Sequence, residues 1–136
     1  MVDTSILVDI LRKKPKTIEY INGLGSTPLF STEISVMELI FGVTGSSFYL
    51  NNPEMKQRRL SEIDELCSRF VVLSFNHKAA VKTAEILGSL KLEGQLIDFR
   101  HAMIAGIAQS NGISELLTSN LRHFERIPEF QVGNII

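Results

Sequence analysis

The run Phe70-Val71-Val72-Leu73-Ser74 limits the fold more than any other feature of the chain. A continuous apolar run without alternation is the pattern of a parallel strand covered on both faces, and parallel strands need long crossovers, usually helices. Such stretches lie on either side. Upstream, Glu54 to Ser68 places Leu60, Ile63, Leu66 and Cys67 on one face with charges opposite, and downstream Asn76 is set to cap a long helix reaching about Leu92. The alternation recurs along the chain. Short strands are predicted at the Val2 lead, at Pro28 to Thr32, at Leu116 to Thr118 and at Phe130 to Val132. Helices are predicted from Ile6, Ile10 and Leu11, over Thr17 to Leu24, from a Ser35 cap to about Gly42 or Gly45, and from Asp98 to Asn111-Gly112, with a helical turn at Leu121 to Phe124. The expectation is an α/β protein: three layers, α/β/α, with a short central parallel sheet flanked by helices. Only two residues precede Asp3, so the first strand is expected to be unusually short, or to lack its beginning in this chain.

At 136 residues, 44% hydrophobic and with four prolines, the chain can bury one substantial core, and residues 1–136 are read as a single domain. A net charge of -1 with 21% charged residues fits neither a disordered chain nor a global polycation, so any nucleic-acid contact must come from local patches. The apolar runs are interrupted by charge, Glu38 within Ile34 to Val43 being the example, which argues against a membrane span. Asp3 and Asp9 stand where a secretory signal would be basic, so a cytoplasmic protein is expected. Cys67 is the sole cysteine, which leaves no disulfide framework and no cysteine-based zinc site; a buried structural thiol is expected.

In open α/β sheets functional groups collect beyond the carboxyl ends of the strands, and Asp3, Ser5 and Thr118 with Asn120 all fall at such ends. They are candidates for one shared site. Glu38 lies in the apolar stretch Val36 to Phe41, where a buried carboxylate is costly unless paired or metal-bound; on spacing alone it reads equally as a solvated position or a capping-box partner of Ser35. Asp98 and His101 sit at i and i+3 at the head of the most apolar helix, on one face where both can approach a cation. A plain N-cap and a hydrogen-bonded core histidine are the alternatives for these two, and His77 and His123 read as surface or capping residues. Other chemistries lack their templates. Gly23-Leu24-Gly25 has neither the third glycine nor the preceding strand of a dinucleotide site, and neither a Gly-Lys-Ser/Thr phosphate loop nor a Gly-x-Ser-x-Gly elbow occurs.

The residues Val2-Asp3-Thr4-Ser5-Ile6-Leu7-Val8-Asp9 resemble the first strand and first catalytic aspartate of the PIN domain, in particular of the VapC-type toxins of toxin-antitoxin pairs. Ser35 to Gly42 is similar to the second motif of that family, whose glutamate falls on Glu38. Ile104-Ala105-Gly106-Ile107-Ala108 and the stretch Leu117 to Pro128 resemble its later motifs, with Thr118 and Asn120 as the polar pair. One position departs. The third acid of the family, three residues before the Ile-Ala pair, is His101 here, and the nearest carboxylate is Asp98 one turn away.

The resemblance implies a metal-dependent endoribonuclease acting as a toxin. Asp3 and Glu38 would be metal ligands and catalytic acids with Asp98 or His101 as provisional third ligand, and Ser5, Thr118 and Asn120 would orient them. The implied cofactor is Mg²⁺ or Mn²⁺, the implied partners RNA, a small antitoxin and a second copy of the chain. Clustered carboxylates cannot all ionise without a cation, and a bound ion acidifies water and stabilises phosphate charge. Arg12, Lys13, Lys14, Lys16, Arg100 and Arg122 are the candidate RNA-backbone contacts. The helices Thr17 to Leu24, Ser35 to Val43 and Glu54 to Ser68 carry apolar residues suited to a dimer or antitoxin surface, or to ordinary core. His101 also admits a second reading, a catalytically impaired PIN domain kept as a binding module.

Overall fold

Among the described residues, four strands of three residues each are arranged as two parallel pairs: β1 (Phe30–Thr32) with β2 (Val71–Leu73), and β3 (Glu115–Leu117) with β4 (Gln131–Gly133). Residues 1–135 are described by the structure, a computed structural model. Val2 joins the two pairs. Its N–H donates to the Phe30 carbonyl at 2.8 Å, and it bridges in parallel to Leu117, whose N–H donates to the Met1 carbonyl at 2.8 Å. The order across the fold is therefore β2, β1, Val2, β3, β4, and the expected first strand is reduced to this bridge.

Helices α1 (Thr4–Leu11), α2 (Pro15–Gly23), α3 (Glu33–Thr44), α4 (Ser47–Leu50), α5 (Pro53–Ser68), α6 (His77–Leu92), α7 (Phe99–Ser110) and α8 (Leu121–Phe124) fill the intervals. Strand pleating sends neighbouring side chains to opposite faces. Leu116 accordingly enters a core built on α6 and α7, while Leu117 packs against the cluster formed by Val2 and by Ile6, Leu39 and Ile63 of α1, α3 and α5. The result is the expected three-layer α/β/α arrangement. On the α6–α7 side the helices approach so closely that a Cβ at Gly106 would overlap Thr83 Oγ1 and stand 3.0 Å from the Ala79 carbonyl. Among the described residues, no helix is long and apolar enough to cross a membrane.

Local chemistry explains most helix starts. The Asn76 side chain accepts the Ala79 N–H at 3.0 Å, and the Asp98 side chain accepts the Arg100 N–H at 2.9 Å, as expected of caps. The cap of α3 is a correction: it is Thr32, whose hydroxyl accepts the Ser35 N–H at 3.1 Å, so Ser35 lies inside the helix and Glu38 is not its capping-box partner. Strand β2 also differs from expectation. Val71 is 49% exposed, so the apolar run of β2, an edge strand beside β1, is not covered on both faces. The polar stretch after Gly45 contains α4, one short turn of helix, and Cys67 is half-buried rather than buried.

Candidate active site

The chain turns sharply at the carboxyl end of the Val2 bridge, and Asp3 becomes the N-cap of α1, accepting the Ile6 N–H at 3.3 Å. Only 2% of Asp3 is exposed. Ser5 Oγ donates to Asp3 Oδ1 at 2.6 Å and Thr118 Oγ1 donates to Oδ2 at 2.6 Å, so one oxygen is fixed by a hydroxyl from the first turn of α1 and the other by a hydroxyl from the residue after β3. Ser5 Oγ also accepts the Ser119 N–H, and Thr118 Oγ1 accepts the Asn120 N–H at 2.9 Å. Sequence spacing groups Asp3, Ser5, Thr118 and Asn120 at strand ends; the structure brings the side chains of the first three together, while Asn120 joins them through its backbone N–H.

Thr4 carries the other half of the site. Its hydroxyl donates to Glu38 Oε1 at 2.8 Å and contacts Ser35 Oγ at 3.0 Å, so consecutive residues of one helical turn orient the two acids. Thr4 was not singled out from the sequence, although its place between Asp3 and Ser5 is the signal. Asp9 was also passed over. It is buried, accepts from Ser119 Oγ at 3.1 Å and pairs with Lys14 Nζ at 2.7 Å; its i+4 spacing from Ser5 puts it on the same helix face.

Asp98 and His101 stand otherwise. Asp98 is the exposed N-cap of α7, and its carboxyl is held below the ordinary carboxylate range, chiefly by its hydrogen bond from Arg100. His101 stacks on His123 with ring centroids 4.2 Å apart and 9° between planes, and meets Phe124 edge-on. His123 is thus a packing partner rather than a simple surface residue, because the α8 turn lays it over the head of α7. The His101 Nδ1 is buried without a hydrogen-bond partner, and burial followed by the nearby His123 pushes the imidazole pKa below its usual value. Among the described residues, no group of three or more His, Cys, Asp or Glu side chains is close enough to hold one metal ion.

The donor chemistry of Asp3 and Glu38 nevertheless fits a hard divalent ion, since Mg²⁺ is usually held by one or two carboxylates and keeps several waters. Asp3 supports this: it is a buried acid held by hydroxyls and N–H groups, with no cation paired to it among the described residues. Burial raises its pKa despite those hydrogen bonds. A carboxyl whose folded pKa lies above its unfolded value contributes full stability below the unfolded value, and loses it as pH rises through the raised one. Asp3→Asn is therefore expected to melt higher than the metal-free wild type at neutral pH, with the gap closing as pH falls through the raised value toward the ordinary carboxylate range. Melting both proteins across a pH series checks this; a constant gap would contradict it.

The basic residues scatter. Arg12 lines a groove of ≈ 230 Å³ with Thr4 and Glu38, Arg122 lines a polar cleft of ≈ 450 Å³ with Asn120 and His123, and Lys13 and Lys16 are exposed. Lys14 is tied to Asp9, and Arg100 to Asp98 and Glu38.

Residues 1–129 match the model of the PIN domain. The chain belongs to the PIN-domain family. Within it, this PIN domain is similar to the tRNA(fMet)-specific endonuclease VapC of Salmonella typhimurium, at 32% identity over 97% of the chain and 94% of the relative. Ribonuclease VapC2 of Haemophilus influenzae is 28% identical over 98% of the chain and 96% of its own length. The crystal structure of DNA-bound VapBC from Salmonella typhimurium aligns with a TM-score of 0.85 at 31% identity, covering 100% of this PIN domain and 97% of that chain. These likenesses place it with VapC-type PIN domains.

Proposed function

We propose that this PIN domain is a metal-dependent endoribonuclease that hydrolyses RNA phosphodiester bonds in the cytoplasm, as the toxin of a VapBC-type toxin-antitoxin pair. The observation that carries the reading is Asp3: a buried carboxylate without a counter-cation among the described residues, locked by Ser5 and Thr118 at the carboxyl end of the sheet, with Glu38 held by the neighbouring Thr4. The names of the relatives, ribonucleases and endonucleases along nearly the whole chain, support the same chemistry and lend nothing to the binding-module alternative.

Asp3 and Glu38 would hold Mg²⁺ or Mn²⁺. When bound, such an ion supplies a water of lowered pKa and positive charge for the phosphate. The chain does the rest. Ser5 and Thr118 hold Asp3 in one orientation, Thr4 holds Glu38, and the N–H of Asn120 orients Thr118 in turn. Asp98 and His101, at the head of α7, remain provisional ligands. Arg12, in a groove with Glu38, and Arg122, in the cleft with Asn120, would take RNA phosphates, as would the exposed Lys13 and Lys16.

Phe41, Phe48 and Leu50 expose more than half of their surfaces along α3 and α4, an apolar strip suited to an antitoxin or a second copy of the chain. VapBC complexes among the similar structures support an antitoxin partner. An antitoxin arginine reaching the acids would inhibit by replacing the ion with a fixed charge.

The test is cleavage of a mixed RNA pool by the purified chain with Mg²⁺ or Mn²⁺, repeated with chelator and with His101→Asp. Cleavage by the unaltered chain that stops with chelator is the expected result. A silent chain made active by His101→Asp would overturn it and establish a disabled scaffold.

A further inference from the structure

Arg100 spans two carboxylates from different elements. Its Nε donates to Asp98 Oδ1 at 3.1 Å and its Nη2 to Asp98 Oδ2 at 3.5 Å, while Nη1 lies 3.4 Å from Glu38 Oε2. Asp98 Oδ1 accepts the backbone N–H of Arg100 as well, at 2.9 Å. Backbone and side chain of Arg100 are thus anchored on the N-cap of α7, and the remaining guanidinium nitrogen is directed across to α3.

The atom it reaches matters. Of the two Glu38 oxygens, Oε1 accepts the Thr4 hydroxyl and Oε2 is left for a cation. Arg100 occupies that second oxygen. The Glu38 side chain is 19% exposed whereas that of Arg100 is 48% exposed, so the acid is held in the fold and the guanidinium can swing into water without disturbing the core. A half-exposed ion pair of this kind opens readily.

We propose that Arg100 is a displaceable counter-cation built into the chain: it neutralises Glu38 in the metal-free protein and leaves Oε2 when a divalent ion binds. The inference rests on the reading of Asp3 and Glu38 as metal ligands. It makes Arg100 a competitor of the ion and Asp98 the residue that positions the competitor. The freed guanidinium then lies at the edge of the site, where a phosphate oxygen can take it in a charge-assisted hydrogen bond.

The test is Mn²⁺ binding to the full chain without RNA, followed by the electron paramagnetic resonance signal of free Mn²⁺. Arg100→Ala is expected to bind Mn²⁺ roughly two- to fivefold more tightly than wild type, the range that loss of an exposed ion pair converts to. Arg69→Ala, the same charge change at the far end of α5, is expected to match wild type. Asp98→Asn separates the two roles open to Asp98: tighter binding is expected of the residue that anchors Arg100, whereas weaker binding would make Asp98 the provisional third ligand and overturn its positioning role. Melting curves verify that each variant is folded, and Arg100→Gln repeats the measurement if alanine disturbs α7. Unchanged or weaker binding in Arg100→Ala, with binding abolished by Glu38→Gln, overturns the inference and leaves the site standing. No Mn²⁺ binding by wild type or by Arg100→Ala removes both.

Discussion

Asp3→Ala is expected to lower the rate of metal-dependent RNA cleavage by at least about 100-fold, since even the partners that merely orient metal ligands are worth about 10–100-fold. Asp3 holds the central position in the hydrogen-bond network: Ser5, Thr118 and the Ile6 N–H all converge on its two oxygens. Alanine removes the oxygens and leaves the donors aimed at nothing. Two opposing effects act on stability. Losing an N-cap costs about 0.5–2 kcal/mol, while losing a buried carboxylate relieves the desolvation that raises the Asp3 pKa. The fold should survive, so single-turnover cleavage can be compared directly, with a melting curve as the control. Activity within tenfold of wild type would remove Asp3 from the chemistry.

The largest expected effect on stability belongs to Phe124→Ala, at about 3–5 kcal/mol. Phe124 is fully buried, meets His101 edge-on at 5.2 Å and packs against Phe130 with ring centroids 6.5 Å apart. It is the single buried residue of the short helix α8, which cannot persist without that anchor. Truncation should lower Tm by roughly 10–20 °C for a domain of this size. It should also loosen the His101–His123 stack, visible as altered imidazole resonances. A loss below about 1 kcal/mol would mean that α7 and β4 close over the vacancy.

Local chemistry carried much of the architecture. Asn76 and Asp98 cap helices from their own side chains, Gly112 at φ 71 ends α7, and each strand begins within two residues of its predicted place. The juxtaposition of Asp3, Ser5 and Thr118 was legible because strand ends of a parallel sheet share one edge. Contacts set by packing were not. Thr32 displaced Ser35 as cap because the strand delivers its hydroxyl to the helix start. No spacing rule puts His123 over His101 across the start of α8, or turns Arg100 from solvent toward Glu38. Val71 faces water for a related reason: an apolar run specifies a strand, and only packing decides which of its faces is covered.

The bridge through Val2 has a bearing on biosynthesis. Asp3 leaves the ribosome well before Thr118, whose hydroxyl locks its second oxygen from 115 positions further along the chain, and the sheet cannot close until Leu117 meets Val2. Loop closure over that span grows only slowly with length but cannot precede the arrival of its far end. A nascent or stalled chain stopped short of Thr118 carries both acids without the geometry that makes them a site. Synthesis itself would then keep incomplete copies harmless to the RNA around them, including the message being translated.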